Sequence, residues 1–184
     1  MVVSALSNPP PQRFRSAGWF IGLFLFSPFL LFYLPTVDAE SFIKPSLDSL
    51  RPLTVYKRDT CACCDKWVDH LEESGINTRV KLPDDLSALK KDFGIEPQYQ
   101  ACHTGVKLGY VFEGHIPADV VQKFLAEKPE GVIGLSVPGM PFGSPGMETD
   151  QKQFRPYKVF MLKKGGGSAI YAKVSPEGIE YPQP

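Results

Sequence analysis

The 184-residue sequence has no surplus of charge of either sign: Lys+Arg and Asp+Glu both total 20, a formal net charge of zero. Without a basic excess to neutralise a phosphate backbone, nucleic acid is not expected as a partner. There is no internal repeat. The longest apolar run, Trp19 to Leu34, covers 16 residues and is interrupted by Ser27-Pro28. That falls short of the about 20 residues a comfortable membrane span needs. Cysteine is scarce and unevenly spread: of four, three (Cys61, Cys63, Cys64) stand within four residues, and Cys102 is alone. A bridge between the neighbours Cys63 and Cys64 would close a strained ring. One between Cys61 and Cys64 would close a loop too short to stabilise much, because the entropic gain grows with loop length. The spacing suits chemistry at one point, not stapling.

What is present is an ordinary globular composition, 43% hydrophobic and 22% charged, with enough apolar mass for one core. Residues 1–39 have the pattern of a signal peptide or N-terminal anchor. A proline-rich start with Arg13 and Arg15 leads into the apolar run, and Val37 and Ala39 occupy the small-residue positions of a cleavage site. Its removal leaves 18 basic against 19 acidic residues, so the charge balance stands. The remainder is expected to be exported, periplasmic or anchored facing the periplasm, touching the membrane only through that segment if it is uncleaved. Four cysteines in an exported chain normally mean two disulfides, which makes their crowding informative.

Residues 40–52 contain Pro45 and Pro52 and read as a linker; residues 53–184 read as one domain. Leu53 to Lys57 predicts a strand. Thr60 is a candidate N-cap for a helix from Cys61 to Ser74, whose apolar positions Cys64, Trp67, Val68 and Leu71 follow helical spacing up to Gly75. Ile76 to Leu82 alternates as a second strand, and Asp84 or Asp85 opens a helix through Phe93. A loop over 95–104 carries Cys102 and His103. Val106 to Phe112 predicts one strand, Pro117 to Lys128 a helix, and Val132 to Val137 a short strand. A Gly/Pro-rich loop fills 138–156, and Tyr157 to Leu162 with Ser168 to Val174 make a hairpin across Gly165-Gly166-Gly167. A crossover between the first two strands makes them parallel. The order predicts an α/β fold, a thioredoxin-like three-layer sandwich with a mixed sheet.

The chemistry concentrates at Thr60-Cys61-Ala62-Cys63-Cys64, where a strand gives way to a helix. The positive end of the helix dipole favours thiolate there, and thiolate is both nucleophile and metal ligand. Cys61 and Cys64 alone would match a dithiol redox motif; the added Cys63 permits three sulfurs to bridge soft ions. Cys102 offers a fourth sulfur, and His103 and His115 offer imidazoles. As its neighbour in an extended segment, His103 could point away from Cys102. Met140 and Met147 sit in two near-copies of Pro-Gly-Met, in a loop where core filling does not explain them. Thiolate, thioether and imidazole together select copper(I). Zinc sites use Cys, His and carboxylate, so the methionines argue against structural zinc. His70 lies about 9 Å along the helix from Cys64 and reads as structural. Trp67 and Tyr110 read as core aromatics, and Asp65 and Glu148 as solvated or capping residues.

Thr60-Cys61-Ala62-Cys63-Cys64 through Leu71, Ala101-Cys102-His103-Thr104, Gly109 through Pro117, and Val137-Pro138-Gly139-Met140-Pro141 through Glu148 resemble one bacterial family in order and spacing. It is the CopG-type copper-resistance family, metal-binding proteins long treated as a domain of unknown function. The resemblance spans residues 53–174 and implies a thioredoxin-like fold, an extracytoplasmic location and a role in copper handling, with copper itself and other copper-handling proteins as partners. It implies Cys61, Cys63, Cys64, Cys102, His103, His115, Met140 and Met147 as ligands for one or more copper(I) ions. A redox role interconverting copper(I) and copper(II) goes with the same resemblance; a rival reading from the residues themselves is a thiol–disulfide oxidoreductase with Cys61 as nucleophile and Cys64 as resolver. The sequence departs from the family pattern at Ala62, where Gly is usual, and at Lys107-Leu108; neither removes a candidate ligand.

Overall fold

The computed structural model describes residues 50–148 and 153–182, all within the compact unit 40–184. The expected signal or anchor over 1–39 and most of the expected linker lie outside the described residues. Among the latter, no helix is long and apolar enough to cross a membrane.

The strands are β1 (Leu53–Tyr56), β2 (Thr78–Lys81), β3 (Thr104–Lys107), β4 (Tyr110–Glu113), β5 (Val132–Ser136), β6 (Tyr157–Lys163), β7 (Ser168–Ser175) and β8 (Gly178–Glu180). The helices that lie among the strands are α1 (Ala62–Glu73), α2 (Leu86–Asp92) and α3 (Ala118–Glu127), and a short 3-10 turn spans Pro97–Tyr99. The strands form one mixed sheet in the order β2-β1-β3-β4-β5-β6-β7-β8. β1 and β2 pair in parallel across α1, and β4 and β5 in parallel across α3; the other neighbours are antiparallel.

Both faces of the sheet carry core because successive strand residues point to opposite sides. On β4, Phe112 joins Trp67, Leu71, Phe124 and Leu135 in the main cluster. Its neighbour Val111 joins Ile95 and Leu162 on the other side, with Phe93 of the α2 C-cap packed against them. Helix α1 buries Cys64, Trp67, Val68 and Leu71, the i, i+3, i+4, i+7 stripe of an amphipathic helix. It ends as the amides of Gly75 and Ile76 turn back onto the carbonyls of Glu72 and Leu71, at 2.9 Å each.

Two expectations change, at the start of α1 and over Val106 to Phe112, and the expected choice between Asp84 and Asp85 resolves to Asp85. The N-cap of α1 is Cys61, not Thr60, and makes no side-chain cap bond. Asp85 caps α2, accepting from the Ser87 and Ala88 amides at 2.9 Å. The single strand expected over Val106 to Phe112 is a hairpin, because Leu108 (φ 53°) and Gly109 (φ 80°) both take left-handed backbone and fold β3 onto β4. Two consecutive left-handed residues are the signature of a two-residue hairpin turn. Leucine adopts that region at a cost, which is why the sequence hid it. Strand β8, an edge strand of three residues, carried too little pattern to be expected.

One line of paired residues crosses the sheet: Tyr56 opposite Thr104, Thr104 opposite Glu113, Glu113 opposite Ser136. The segment bearing Cys61, Cys63 and Cys64 leaves the sheet just after Tyr56. Cys102 and His103 arrive just before Thr104, His115 follows Glu113, and Met140 follows Ser136. Register alone therefore gathers four distant segments at one end of the sheet.

Candidate metal centre

Cys61 stands at the amino end of α1, reached by a turn that the buried Lys57 secures. Its Nζ donates to the carbonyls of Arg58 and Asp59 at 3.2 and 3.4 Å and pairs with Asp65 at 2.9 Å. The sulfurs of Cys61, Cys63, Cys64 and Cys102 all lie within 4.8 Å of one another. Cys61 and Cys64 are closed as a disulfide, with their Cα atoms 5.3 Å apart. Cys63 and Cys102 are free thiols. Cys63 Sγ is 3.5 Å from Cys61 Sγ and 3.9 Å from the thioether of Met140. The short loop that argued against stapling is closed here at the helix start, the place where a disulfide is an exchangeable group and not a brace.

Cys102 also reaches inward. Its Sγ lies 3.1 Å from His115 Nε2 and 3.3 Å from His103 Nδ1. The chain bends at Cys102, so His103 does not point away from its neighbour as an extended segment would make it. His115 Nδ1 donates to the carbonyl oxygen of Pro145 at 2.8 Å. A carbonyl can only accept, so in the neutral ring Nε2 carries the lone pair, and that lone pair faces Cys102. His103 is fully buried, its ring 4.2 Å from that of Trp67 and 4.9 Å from that of His115. Its Nε2 has no hydrogen-bond partner.

Burial sets the protonation of these groups. It holds His103 well below the ordinary imidazole value, with the charges of His115 and Lys90 adding to the effect. It lowers His115 likewise, against the pull of the Pro145 carbonyl and Glu148. Both rings are therefore held neutral. Burial, reinforced by neighbouring Cys63, pushes the Cys102 thiol up to about 12. Any ion that binds there must displace a proton.

Behind the cluster is a charged network that the sequence did not announce. Lys90 pairs with Glu113, both buried, and Lys90 Nζ donates to Thr104 Oγ1 at 2.9 Å. Thr104 Oγ1 and the Ala101 amide each donate to Glu113 at 2.6 Å. Ala101 precedes Cys102 and Glu113 stands two residues before His115, so Glu113 ties the segments carrying Cys102 and His115 together. The usable signal was charge on apolar faces: Lys90 falls four residues after the buried Leu86, and Glu113 ends the apolar strand Tyr110-Val111-Phe112.

The loop after β5 closes the site. Gly146 packs on the first turn of α1, where a β-carbon would stand 2.6 Å from the Cys63 carbonyl oxygen. Met140 is half exposed and lines a solvent-open cleft of about 610 Å³, together with Arg58, Cys61, Cys63, Lys90 and Cys102. Met147 enters the loop through its backbone: its amide donates to Ser144 and its carbonyl accepts from Gly143, both at 2.8 Å. His70 lies apart, its Nε2 accepting the Ala118 amide at 3.0 Å and so capping α3. Trp67 is buried and donates from Nε1 to the Ile116 carbonyl at 2.8 Å. The donor set, two free thiols, a reducible pair of sulfurs, one thioether and two neutral imidazoles, fits a soft metal ion.

Residues 99–147, which hold Cys102, both imidazoles of the centre and both Pro-Gly-Met turns, match the family described as "Protein of unknown function, DUF411". The structure described as "Copper resistance protein copG- Form 1" aligns at 35% identity and a TM-score of 0.63, covering 67% of this chain and 97% of that one. "Copper resistance protein copG- Form 2" aligns at 37% identity and a TM-score of 0.61, covering 67% and 98%. The chain belongs to the CopG copper-resistance family. No curated protein sequence matches it. Within this CopG-family domain the eight residues expected as ligands divide: seven, Met140 among them, converge around the helix start and Cys102, whereas the backbone of Met147 bonds to Ser144 and Gly143 within its own loop.

Proposed function

We propose that this protein binds copper outside the cytoplasm and serves copper homeostasis or resistance. Copper(I) is held by the thiolates of Cys61, Cys63, Cys64 and Cys102, which bridge more than one ion once the disulfide is reduced. His103, His115 and Met140 complete the cage and Met147 shields it. The observation that carries this reading is the convergence of four sulfurs from two separate segments within 4.8 Å, with two neutral imidazoles against one of them. Family membership supports it, since the two aligned structures are named copper resistance proteins. The parallel β1-α1-β2 and β4-α3-β5 units within one mixed sheet support a thioredoxin-like sandwich over residues 53–184; a linker and a signal or anchor over 1–39 precede it in this reading. Export follows from that leading segment.

The test is anaerobic titration of the reduced protein with copper(I), read by native mass spectrometry. More than one ion per chain is expected, falling in Cys102→Ser and Cys63→Ser. A reduced protein that retains no copper would remove the reading.

A second reading is favoured by one observation, the Cys61–Cys64 disulfide at the start of α1. Cys61 as nucleophile and Cys64 as resolving thiol would make a thiol–disulfide oxidoreductase. Insulin reduction unaffected by a copper chelator would favour this reading; simple dithiol exchange has no use for Cys63, the imidazoles or Met140.

A further inference from the structure

The sulfurs and imidazoles form two groups that share a single atom. One is Cys61, Cys63, Cys64 and Cys102; the other is Cys102, His103 and His115. The disulfide removes two members of the first group and none of the second. We propose that Cys102, His103 and His115 constitute a one-ion subsite that stays complete while Cys61 and Cys64 are joined, so that the redox state of that disulfide switches the protein between two metal capacities. This inference rests on the copper reading above and adds to it a division of the site and a control over it.

Two edges of the smaller group, those between Cys102 and the two rings, come close to the lengths of a coordination shell. With metal–nitrogen bonds of about 2.0 Å and a metal–sulfur bond of about 2.3 Å, a tetrahedral shell has nitrogen-to-sulfur edges of about 3.5 Å. The two edges here are 3.1 and 3.3 Å, so a few tenths of an ångström of expansion admits the ion. Each ring is held for the purpose. The Pro145 carbonyl fixes the tautomer of His115, the usual device for orienting an imidazole ligand. His103 is clamped between Trp67 and His115 with Nδ1 toward Cys102. Its Nε2 is buried without a partner, a cost that an apolar ring in the same space would not carry. Nδ1 accounts for having an imidazole there. One thiolate and two imidazoles suit a borderline ion, copper(II) among them, whereas the four-sulfur group suits copper(I).

The switch is thiol–disulfide exchange with a dithiol reductant. The Cys61–Cys64 bond breaks, each sulfur takes a proton from the reductant, and the reductant's two sulfurs form the new disulfide. The cage then regains two sulfurs and the capacity for further copper(I).

The experiment uses cobalt(II), which fits such a shell and does not oxidise thiols under nitrogen. The disulfide form, verified by alkylation of two thiols per chain, is expected to take up one cobalt with a sulfur-to-cobalt charge-transfer band. Cys63→Ser is expected to keep that band; Cys102→Ser and His115→Phe, checked for folding by circular dichroism, are expected to lose it. Protein reduced with a dithiol and then freed of it is expected to bind more than one copper(I). In Cys61→Ser/Cys64→Ser, one cobalt is expected with or without the dithiol. A disulfide form that takes up no cobalt, while the reduced form binds copper(I), would overturn the subsite and leave the copper reading intact. Failure of both forms to bind metal would overturn both. A band that survives Cys102→Ser would also overturn the subsite.

Discussion

His115 and Pro145, thirty residues apart, are joined by one hydrogen bond, Nδ1–H to carbonyl oxygen at 2.8 Å. That bond does two things. It aims the lone pair of Nε2 at Cys102, and it fixes the loop that carries both methionines. His115→Phe keeps the ring against His103 but removes both nitrogens. It leaves the Pro145 carbonyl unpaired, at a cost of about 1–3 kcal/mol. Copper affinity is expected to fall at least about tenfold, the scale on which oriented imidazoles matter to metal sites. Competition against a chromophoric copper(I) chelator measures the affinity and urea unfolding measures the stability. An unchanged affinity would take His115 out of the centre.

The two Pro-Gly-Met turns look alike in sequence and differ in their surroundings. Gly139 and Gly146 both have left-handed backbone, φ 71° and 83°. A β-carbon on Gly139 meets nothing within 4 Å, while one on Gly146 stands 2.6 Å from the Cys63 carbonyl and 3.1 Å from the Trp67 amide nitrogen. Gly139→Ala therefore pays only for its backbone conformation, about 1 kcal/mol. Gly146→Ala is expected to cost more than that and also to weaken copper binding, because the loop must lift from α1 and carry the Pro145 carbonyl with it. Equal effects of the two substitutions on both measurements would refute the docking of this loop.

Comparison of sequence and structure explains which parts of the site could be read early. Cys61, Cys63 and Cys64 declared themselves because helix position and thiol chemistry are both local properties. Cys102, His103 and His115 were nameable, but their meeting depends on the pairing of Tyr56, Thr104 and Glu113 across three strands, and no local pattern encodes register. The hairpin at Leu108-Gly109 was hidden because leucine seldom takes left-handed backbone. Lys90 and Glu113 carry no such mark, because charged side chains are expected in water and only the folded neighbourhood shows that they satisfy each other.

Removing one member of that buried pair is expected to be worse than removing both. Burial pushes the Glu113 carboxyl up, while Lys90, Thr104 and the Ala101 amide pull it back. Lys90→Met withdraws the cation and strands the carboxylate, at about 3–5 kcal/mol. Lys90→Met/Glu113→Gln keeps an acceptor for Ala101 and Thr104 without the charge, and is expected to recover a large part of the loss. Urea unfolding of both single variants and the double variant gives the coupling. The deficit of Lys90→Met is expected to shrink as pH falls, since the stranded carboxyl can then take a proton. A double variant no more stable than Lys90→Met would contradict this account.

The chain's three histidines, His70, His103 and His115, all have lowered folded-state pKa values, with desolvation as the largest cause in each case. Unfolded, each titrates near 6.5. Below that value the unfolded chain binds protons that the folded chain refuses, so stability rises with pH in this window and is lost as pH falls through it. His70 isolates the effect from metal chemistry, because its Nε2 accepts the Ala118 amide and must surrender that bond to be protonated. His70→Gln can supply an amide oxygen as acceptor but cannot titrate. Metal-free His70→Gln is expected to match the parent protein within about 1 kcal/mol above pH 6.5. Below it, the variant should lose stability less steeply, by up to one proton's worth of slope. Identical slopes for variant and parent in urea unfolding on the acid side would show that the cap of α3 does not depend on neutral His70.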